Sequence, residues 1–315
     1  MHSSPIASAP AALVLGAGTV GAATAAVLRA GSAGPVVRIG RTSGDRRIDL
    51  RDPDATADLA AGASTLYLTA GLPYRSAVWE RDWPSILRNV IASSIHHRAR
   101  LVFFDNVYAY GPVATAMTEQ TPIRPTSRKG TVRAALAAQL DRAGERGLDY
   151  AIVRSADFYG PGAETSVFTT MAARAVARGK RPLWLFDADQ PHSMTYVPDI
   201  ARALVTVGTA PALAQRVWHV PTAPALTGRE YARLLGGGEI RVLTEGMTRA
   251  GALFSADARE SLELSYQSLA PYVFDGSAFT TEWGMAPTPV SEGIAATLRS
   301  ELAALRRRHP RKDPK

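Results

Sequence analysis

Through the first half of the chain, short uninterrupted apolar runs alternate with stretches whose apolar residues recur at helical spacing. Ala12-Leu13-Val14-Leu15 predicts a strand, followed by a glycine-rich turn and a helix over Thr19 to Arg29. Val36-Val37-Arg38-Ile39 and Thr65-Leu66-Tyr67-Leu68 predict two further strands. Trp83, Ile86, Leu87, Val90 and Ile91 fall on one face of a helix. Leu101 to Phe104 reads as a strand. Leu136, Leu140 and Ala143 mark a helix that Gly147 ends, and Tyr150 to Val153 is the next strand. Runs buried on both faces, separated by helices, predict an α/β architecture with a doubly wound parallel sheet.

Beyond Tyr159-Gly160-Pro161-Gly162 the rhythm breaks into helices, loops and isolated strands. The expected organisation is a nucleotide-binding domain over residues 1–160, then a smaller C-terminal substrate lobe over 161–300 with some segments returning to the sheet. A basic tail over 301–315 completes it. Open α/β sheets bind ligands at the carboxyl edge of their strands, so the lobe is expected over that edge.

The turn after the first strand, Gly16-Ala17-Gly18-Thr19-Val20-Gly21, fits G-x-G-x-x-G between a strand and a helix. That context makes it a Rossmann-type dinucleotide site: glycines let the backbone approach a pyrophosphate, whose charge meets the helix N-terminus. Gly16, Gly18, Thr19, Val20 and Gly21 are assigned to the cofactor, and Thr69 and Ala70, after the strand Thr65 to Leu68, are counted with them. NAD sites carry an acid about 20 residues further on. Here Arg41 stands there, and no acid appears between Gly21 and Asp45. A guanidinium pairs with a 2′-phosphate that a carboxylate would repel, so NADP is expected rather than NAD.

Composition changes this picture little. The 315 residues include no cysteine, which excludes disulfides, thiolate metal sites and a cysteine nucleophile, and fits a reducing compartment. The net charge of +8 is partly concentrated in Arg306-Arg307-Arg308-His309-Pro310-Arg311-Lys312, a solvated end rather than a nucleic-acid motif. Met1-His2-Ser3-Ser4-Pro5 lacks the basic start of a secretory signal, and no apolar stretch is long enough to span a membrane. The expectation is a cytoplasmic protein with a small-molecule substrate, neither nucleic acid nor membrane as partner, no metal, and a homodimer left open.

The chain resembles the extended short-chain dehydrogenase/reductases, the NAD-dependent epimerase/dehydratase family. The resemblance rests on several segments. Asp49-Leu50-Arg51-Asp52 is similar to the adenine-contacting segment, which implies cofactor contacts from Asp49 and Leu50. Val107-Tyr108-Ala109-Tyr110-Gly111-Pro112 resembles a strand ending in V-Y-G. Arg154 to Gly162 resembles R-x-x-N-x-Y-G-P-G, with Asp157 at the asparagine position. Tyr196-Val197-Pro198-Asp199-Ile200-Ala201 resembles Y-V-x-D-V-A, and the stretch from Phe274 to Gly293 resembles the family's final helix region.

Family chemistry uses a serine, and a tyrosine and lysine spaced Y-x-x-x-K. Aligned on these motifs, the serine position holds Asn106, preceded by Asp105. The tyrosine position holds Lys129, and the lysine position holds Arg133. The acid/base group is absent from its usual place, as in atypical members. Three readings of Lys129 and Arg133 stand side by side. They bind cofactor ribose and phosphate; Lys129 is a proton donor with a depressed pKa; or both are solvated helix residues. Tyr108, two residues past Asn106, is a substitute acid or a packed aromatic, and Asp105 is a polar candidate at the strand's end. The catalytic set is therefore Lys129, Tyr108, Asp105 and Asn106, with Lys129 and Arg133 also counted with the cofactor.

Nucleotide-sugar members grip a diphosphate with an arginine four residues before the Y-V-x-D tyrosine, and with a second one ahead of the last motif. Here the first position is His192, and nothing from Glu260 to Asp275 is arginine. Tyr74, Trp79, Tyr108, Phe158, His192 and Met194 suit a smaller, partly apolar substrate. The expected function is an NADP(H)-dependent oxidoreductase of the atypical kind acting on a small carbonyl, alcohol or imine. The alternatives are a redox-neutral isomerase, epimerase or cyclase, and a non-catalytic dinucleotide sensor.

Overall fold

A computed structural model describes residues 12–31 and 34–308. The signal reading of Met1 to Pro5, and the tail from His309 to Lys315, lie outside them. The first elements are β1 (Ala12–Leu15), α1 (Thr19–Ala30), β2 (Val36–Gly40), β3 (Arg46–Arg47), α2 (Pro53–Thr56) and β4 (Thr65–Leu68). α3 (Ser76–His97), β5 (Arg100–Asn106), α4 (Arg128–Gly144) and β6 (Tyr150–Ser155) follow. Each strand and helix expected in this half is present. β3 and α2 are additions, each too short to show a period.

The main sheet has seven strands in the order Val217–His219, β6, β5, β4, β1, β2, β3. β1 pairs in parallel with both β2 and β4, β4 with β5, and β2 with β3. The chain starts at β1, winds outward to β3, then returns to β4 on β1's other side. β1 therefore stands at the point where the winding reverses, the place where such sheets bind ligands. Every residue of β1 and β4 is buried, as expected of strands covered on both faces. α1 turns Val20, Thr24, Ala25 and Leu28 inward, and α3 does so with Trp79, Trp83, Ile86, Leu87, Val90 and Ile91. Arg98 ends α3 in the left-handed conformation at φ 55°.

Two compact units share the chain. The first comprises residues 1–105, 132–153 and 201–218, and the second 106–131, 154–200 and 219–315. In the second, the strand Asp157–Tyr159 pairs in parallel with Met194–Tyr196. Tyr159, Phe168, Trp184, Met194, Tyr231 and Ile294 build its main core. Asp199, from the segment resembling Y-V-x-D, accepts hydrogen bonds from the backbone and hydroxyl of Thr288, both at 2.7 Å. The expected tail is helical through Arg308, as the end of Val290–Arg308, because Glu301 is buried and bonds Arg174 at 2.8 Å. No described helix is long and apolar enough to cross a membrane.

A buried polar chain in the second unit fixes one proton. Arg154 donates to the Tyr110 hydroxyl at 2.9 Å, which lies 2.7 Å from His219 Nε2, while His219 Nδ1 sits 2.9 Å from the Asp275 carbonyl. The carbonyl can only accept, so Nδ1 carries the hydrogen and Nε2 accepts from Tyr110. Burial pushes the His219 pKa down to about 3, and the nearby Arg154 charge works the same way against Asp275. A histidine depressed below its ordinary 6.5 gives stability that is present above pH 6.5 and lost as pH falls. Between pH 6.5 and 5 the loss should be about 1.5 kcal/mol, before Glu119, pushed up by burial, begins to offset it. Urea unfolding at these two pH values should show that loss, and His219→Gln should remove it. A parent protein equally stable at both would refute the assignment.

Candidate functional site

In the first unit, the glycine turn is built by close backbone approach. Gly16 has φ +135°, and a Cβ there would lie 2.6 Å from the Ala70 nitrogen and 2.7 Å from the Thr69 carbonyl carbon. A Cβ on Gly21 would lie 1.9 Å from the Gly16 oxygen and 2.8 Å from Thr69 Oγ1. Thr69 and Ala70, at the end of β4, therefore wall the turn, and the Thr69 amide donates to the Leu15 carbonyl at 2.9 Å. Gly18 differs: a Cβ there meets nothing within 4 Å. Gly18 caps α1, with Thr19 and Val20 opening that helix, so unfilled space and helix amides face one another. This cradle fits the pyrophosphate of a dinucleotide.

The rim of the same unit is rich in arginine. Arg41 is exposed directly after β2, and Arg46 and Arg47 are exposed on β3 beside Ile39 and Gly40. Asp45, the next acid in the sequence after Arg41, accepts from Arg29 at 2.7 Å and from the Arg38 amide at 2.8 Å. Asp49 is clasped by the Arg51 guanidinium, whose hydrogen bonds hold its carboxyl down at about 2, with Arg41 adding a smaller pull. Leu50 is buried, and its carbonyl accepts from Asn89 at 3.1 Å. Asp105 and Arg133 are both buried and pair at 3.4 Å. The Arg133 guanidinium lies 4.6 Å from the Trp79 ring centre and 4.5 Å from that of Trp83. Tyr74 is exposed, with its ring edge-on to Trp79.

In the second unit, Lys129 is fully buried. Its ammonium bonds Glu260, and lies 2.6 Å from Glu263, which also accepts the Lys129 amide at 2.9 Å. Burial of both Lys129 and Arg133 removes the solvated-helix reading. Ser127 accepts the Gly130 amide at 3.0 Å, fixing the start of α4. Asn106 accepts the Tyr108 amide at 3.0 Å and so shapes the turn after β5. His192 is buried, with Nε2 3.0 Å from Asp157 and its ring stacked on Tyr272 at 4.5 Å. Phe158 is half-buried on the strand beside Thr195, while Met194 is a core residue. Glu260, Glu263, Tyr266 and Tyr272 were not singled out from the sequence. The only signal was negative: this segment lacks the arginine expected there.

A βαβ sheet with a dinucleotide cradle at its winding reversal defines a nucleotide-binding α/β enzyme class. The sequence profile described as "NAD dependent epimerase/dehydratase family" matches residues 12–220, and the chain belongs to that family. No curated protein sequence matches it. Among solved structures, MoeE5 in complex with UDP-glucose and NAD is similar at 22% identity and TM-score 0.75. That match covers 93% of this chain and 99% of the other. The Thermotoga maritima UDP-glucose 4-epimerase with UDP-glucose is similar at 18% and 0.77, over 93% and 99%. A partial consensus L-threonine 3-dehydrogenase is similar at 20% and 0.76, over 93% and 100%. These likenesses show the fold.

The glycines separate fold from ligand. Gly18→Val should leave the protein folded, at a cost of about 1 kcal/mol for a poor helix N-cap, because its side chain enters open space. It should abolish the nucleotide's stabilisation, about 2.7 kcal/mol in the parent at 100 times Kd. Gly21→Val should fail to fold. Melting curves with and without NADPH decide this, and full ligand stabilisation of Gly18→Val would place the site elsewhere.

Proposed function

We propose that this chain is a cytoplasmic, NADP(H)-dependent oxidoreductase of the atypical short-chain kind, acting on a small substrate that is not a nucleotide sugar. The observation that carries the cofactor choice is the arginine-rich end of β2. Arg41, Arg46 and Arg47 are exposed there, while Asp45 is engaged with Arg29 and Arg38 and Asp49 with Arg51. A doubly charged 2′-phosphate is favoured where cations are exposed and nearby carboxylates are already engaged.

In this reading Gly16, Gly18, Thr19, Val20 and Gly21 receive the pyrophosphate, with Thr69 and Ala70 as the wall. Asp49 and Leu50 lie toward adenine, and Arg41 toward the phosphate. A bound nicotinamide dinucleotide supplies or accepts the hydride. Arg133 holds Asp105 in place, and Lys129 holds Glu260 and Glu263, so both cations act through the groups they orient. The substrate choice rests on the segment from Glu260 to Asp275. Where sugar-nucleotide relatives are expected to present an arginine, this chain presents carboxylates, which repel a diphosphate. Tyr108, Phe158 and His192 remain the candidates for substrate contact.

Calorimetric titration should show NADPH binding more tightly than NADH, and Arg41→Ala should narrow the gap by about 1–3 kcal/mol. Equal affinities, or a preference for NADH, would refute the cofactor reading. Turnover of NADPH against small carbonyls and imines separates an oxidoreductase from a sensor, which would bind without turnover.

A further inference from the structure

Two segments of the first unit meet at the amino edge of the main sheet. α3 ends in His96-His97 just before β5, and the turn between α2 and β4 carries Asp58. His97 Nε2 lies 3.2 Å from Asp58 Oδ1, and the two imidazole rings stand edge-on with centres 4.6 Å apart. One ligating atom from each of the three residues falls within 4.8 Å of the other two. Asp58 and His96 are exposed and His97 is half-buried, so an ion reaches them directly from solvent. The backbone beneath is fixed. The Leu59 amide donates to the Thr56 carbonyl and the Ala61 amide to the Asp58 carbonyl, both at 3.1 Å. The Ala60 amide donates to the buried Ser93 hydroxyl at 3.0 Å, which ties this turn to α3 one helical turn before the histidines. The three side chains therefore share one place without an ion to gather them, which lowers the ordering cost of binding one.

We propose that Asp58, His96 and His97 bind a divalent transition ion of the zinc type, with water in the fourth position, and that the ion clamps the end of α3 to the turn before β4. Such an ion lies about 2.0–2.2 Å from imidazole nitrogen and carboxylate oxygen, and a tetrahedron of that size sets its ligands about 3.3 Å apart. Asp58 and His97 already have that spacing. His96, exposed at the last turn of the helix, closes the remaining distance by side-chain rotation.

The donor set decides the class of ion. Two imidazoles and a carboxylate suit zinc, copper or nickel, whereas magnesium and calcium take oxygen ligands. The absence of cysteine excludes thiolate sites and leaves this set untouched. A ligating imidazole is neutral, so His97 exchanges its bond to Asp58 for the ion while the ring hydrogen stands on Nδ1. The negative end of the α3 dipole lies beside the site and favours a positive charge there. The glycine cradle, after the end of β1, occupies the opposite edge of the sheet. The ion is thus a clamp, independent of the redox reading and of any catalytic step.

The test is calorimetric titration of the untagged full chain with zinc chloride in a non-chelating buffer. One equivalent should bind with a Kd of about 10 μM or tighter. His97→Gln and His96→Gln should each weaken binding at least about 10-fold, since even partners behind a metal's ligands commonly cost that much. Asp58→Asn should weaken it several-fold. These side chains are exposed or half-buried, and melting temperatures unchanged without zinc report that the variants fold. His2→Gln and His309→Gln, outside the described residues, should leave zinc binding as it is. Magnesium in about 100-fold excess should not displace the zinc. Zinc should also slow amide hydrogen exchange over residues 57–63 and in the last turn of α3, and His97→Gln should abolish that protection. No binding at about 100 μM zinc, a Kd indifferent to all three ligand changes, or binding lost instead with His2 or His309 would overturn the site. Displacement by magnesium overturns the class of ion, and zinc bound with exchange unchanged overturns the clamp.

Discussion

The contact on which the first unit depends is the one between the Gly16 carbonyl and Gly21, backed by Thr69 and Ala70. A Cβ on Gly21 would come within 1.9 Å of that carbonyl, so the first turn of α1 reaches β1 only because no side chain intervenes. The approach sets the direction in which the chain leaves β1, and hence where the helix N-terminus points. It also brings the end of β4 against the turn, so one steric constraint joins the two strands at the winding reversal. The open space beside Gly18 is the remainder of that packing.

How much of this was legible in the sequence differs between the halves. Strands buried on both faces appear as unbroken apolar runs, and the glycine turn combines a spacing with a context, so the sheet and the cradle could be read directly. The exposed position of Arg41 could be read as well, because it follows a strand whose end the pattern marks. The partners of Lys129 could not. Glu260 and Glu263 lie more than a hundred residues from Lys129, in a segment whose sequence carries no periodic signal tying it to α4. Long-range ion pairs leave no local trace, and a buried lysine looks like any surface lysine until its acids are found. Tyr266 and Tyr272 leave no trace for the same reason, whereas His192 and Asp157, which bond each other, both stand at motif positions visible in the sequence.

A buried ammonium held by carboxylates is a specificity device as much as a stabilising one. Such a pair is weak evidence for stability, since apolar residues of similar volume often replace it without loss, but losing one partner leaves a stranded charge. In this chain the buried ammonium fixes the positions of two acids, Glu260 and Glu263.

The interleaving of the two units has a consequence for cutting the chain. Strand Val217–His219 borders β6, yet of the residues between them in sequence, 156–200 belong to the second unit and contribute to its core. A fragment ending near residue 160 would keep β6 but lose its outer neighbour, turning a wholly buried apolar strand into a bare sheet edge. Unpaired edges of that kind recruit other chains through their backbone amides and carbonyls. The nucleotide-binding half is contiguous in function but not in sequence, and its sheet is completed by eighteen residues, 201–218, that arrive only after residues 154–200 of the second unit have been made.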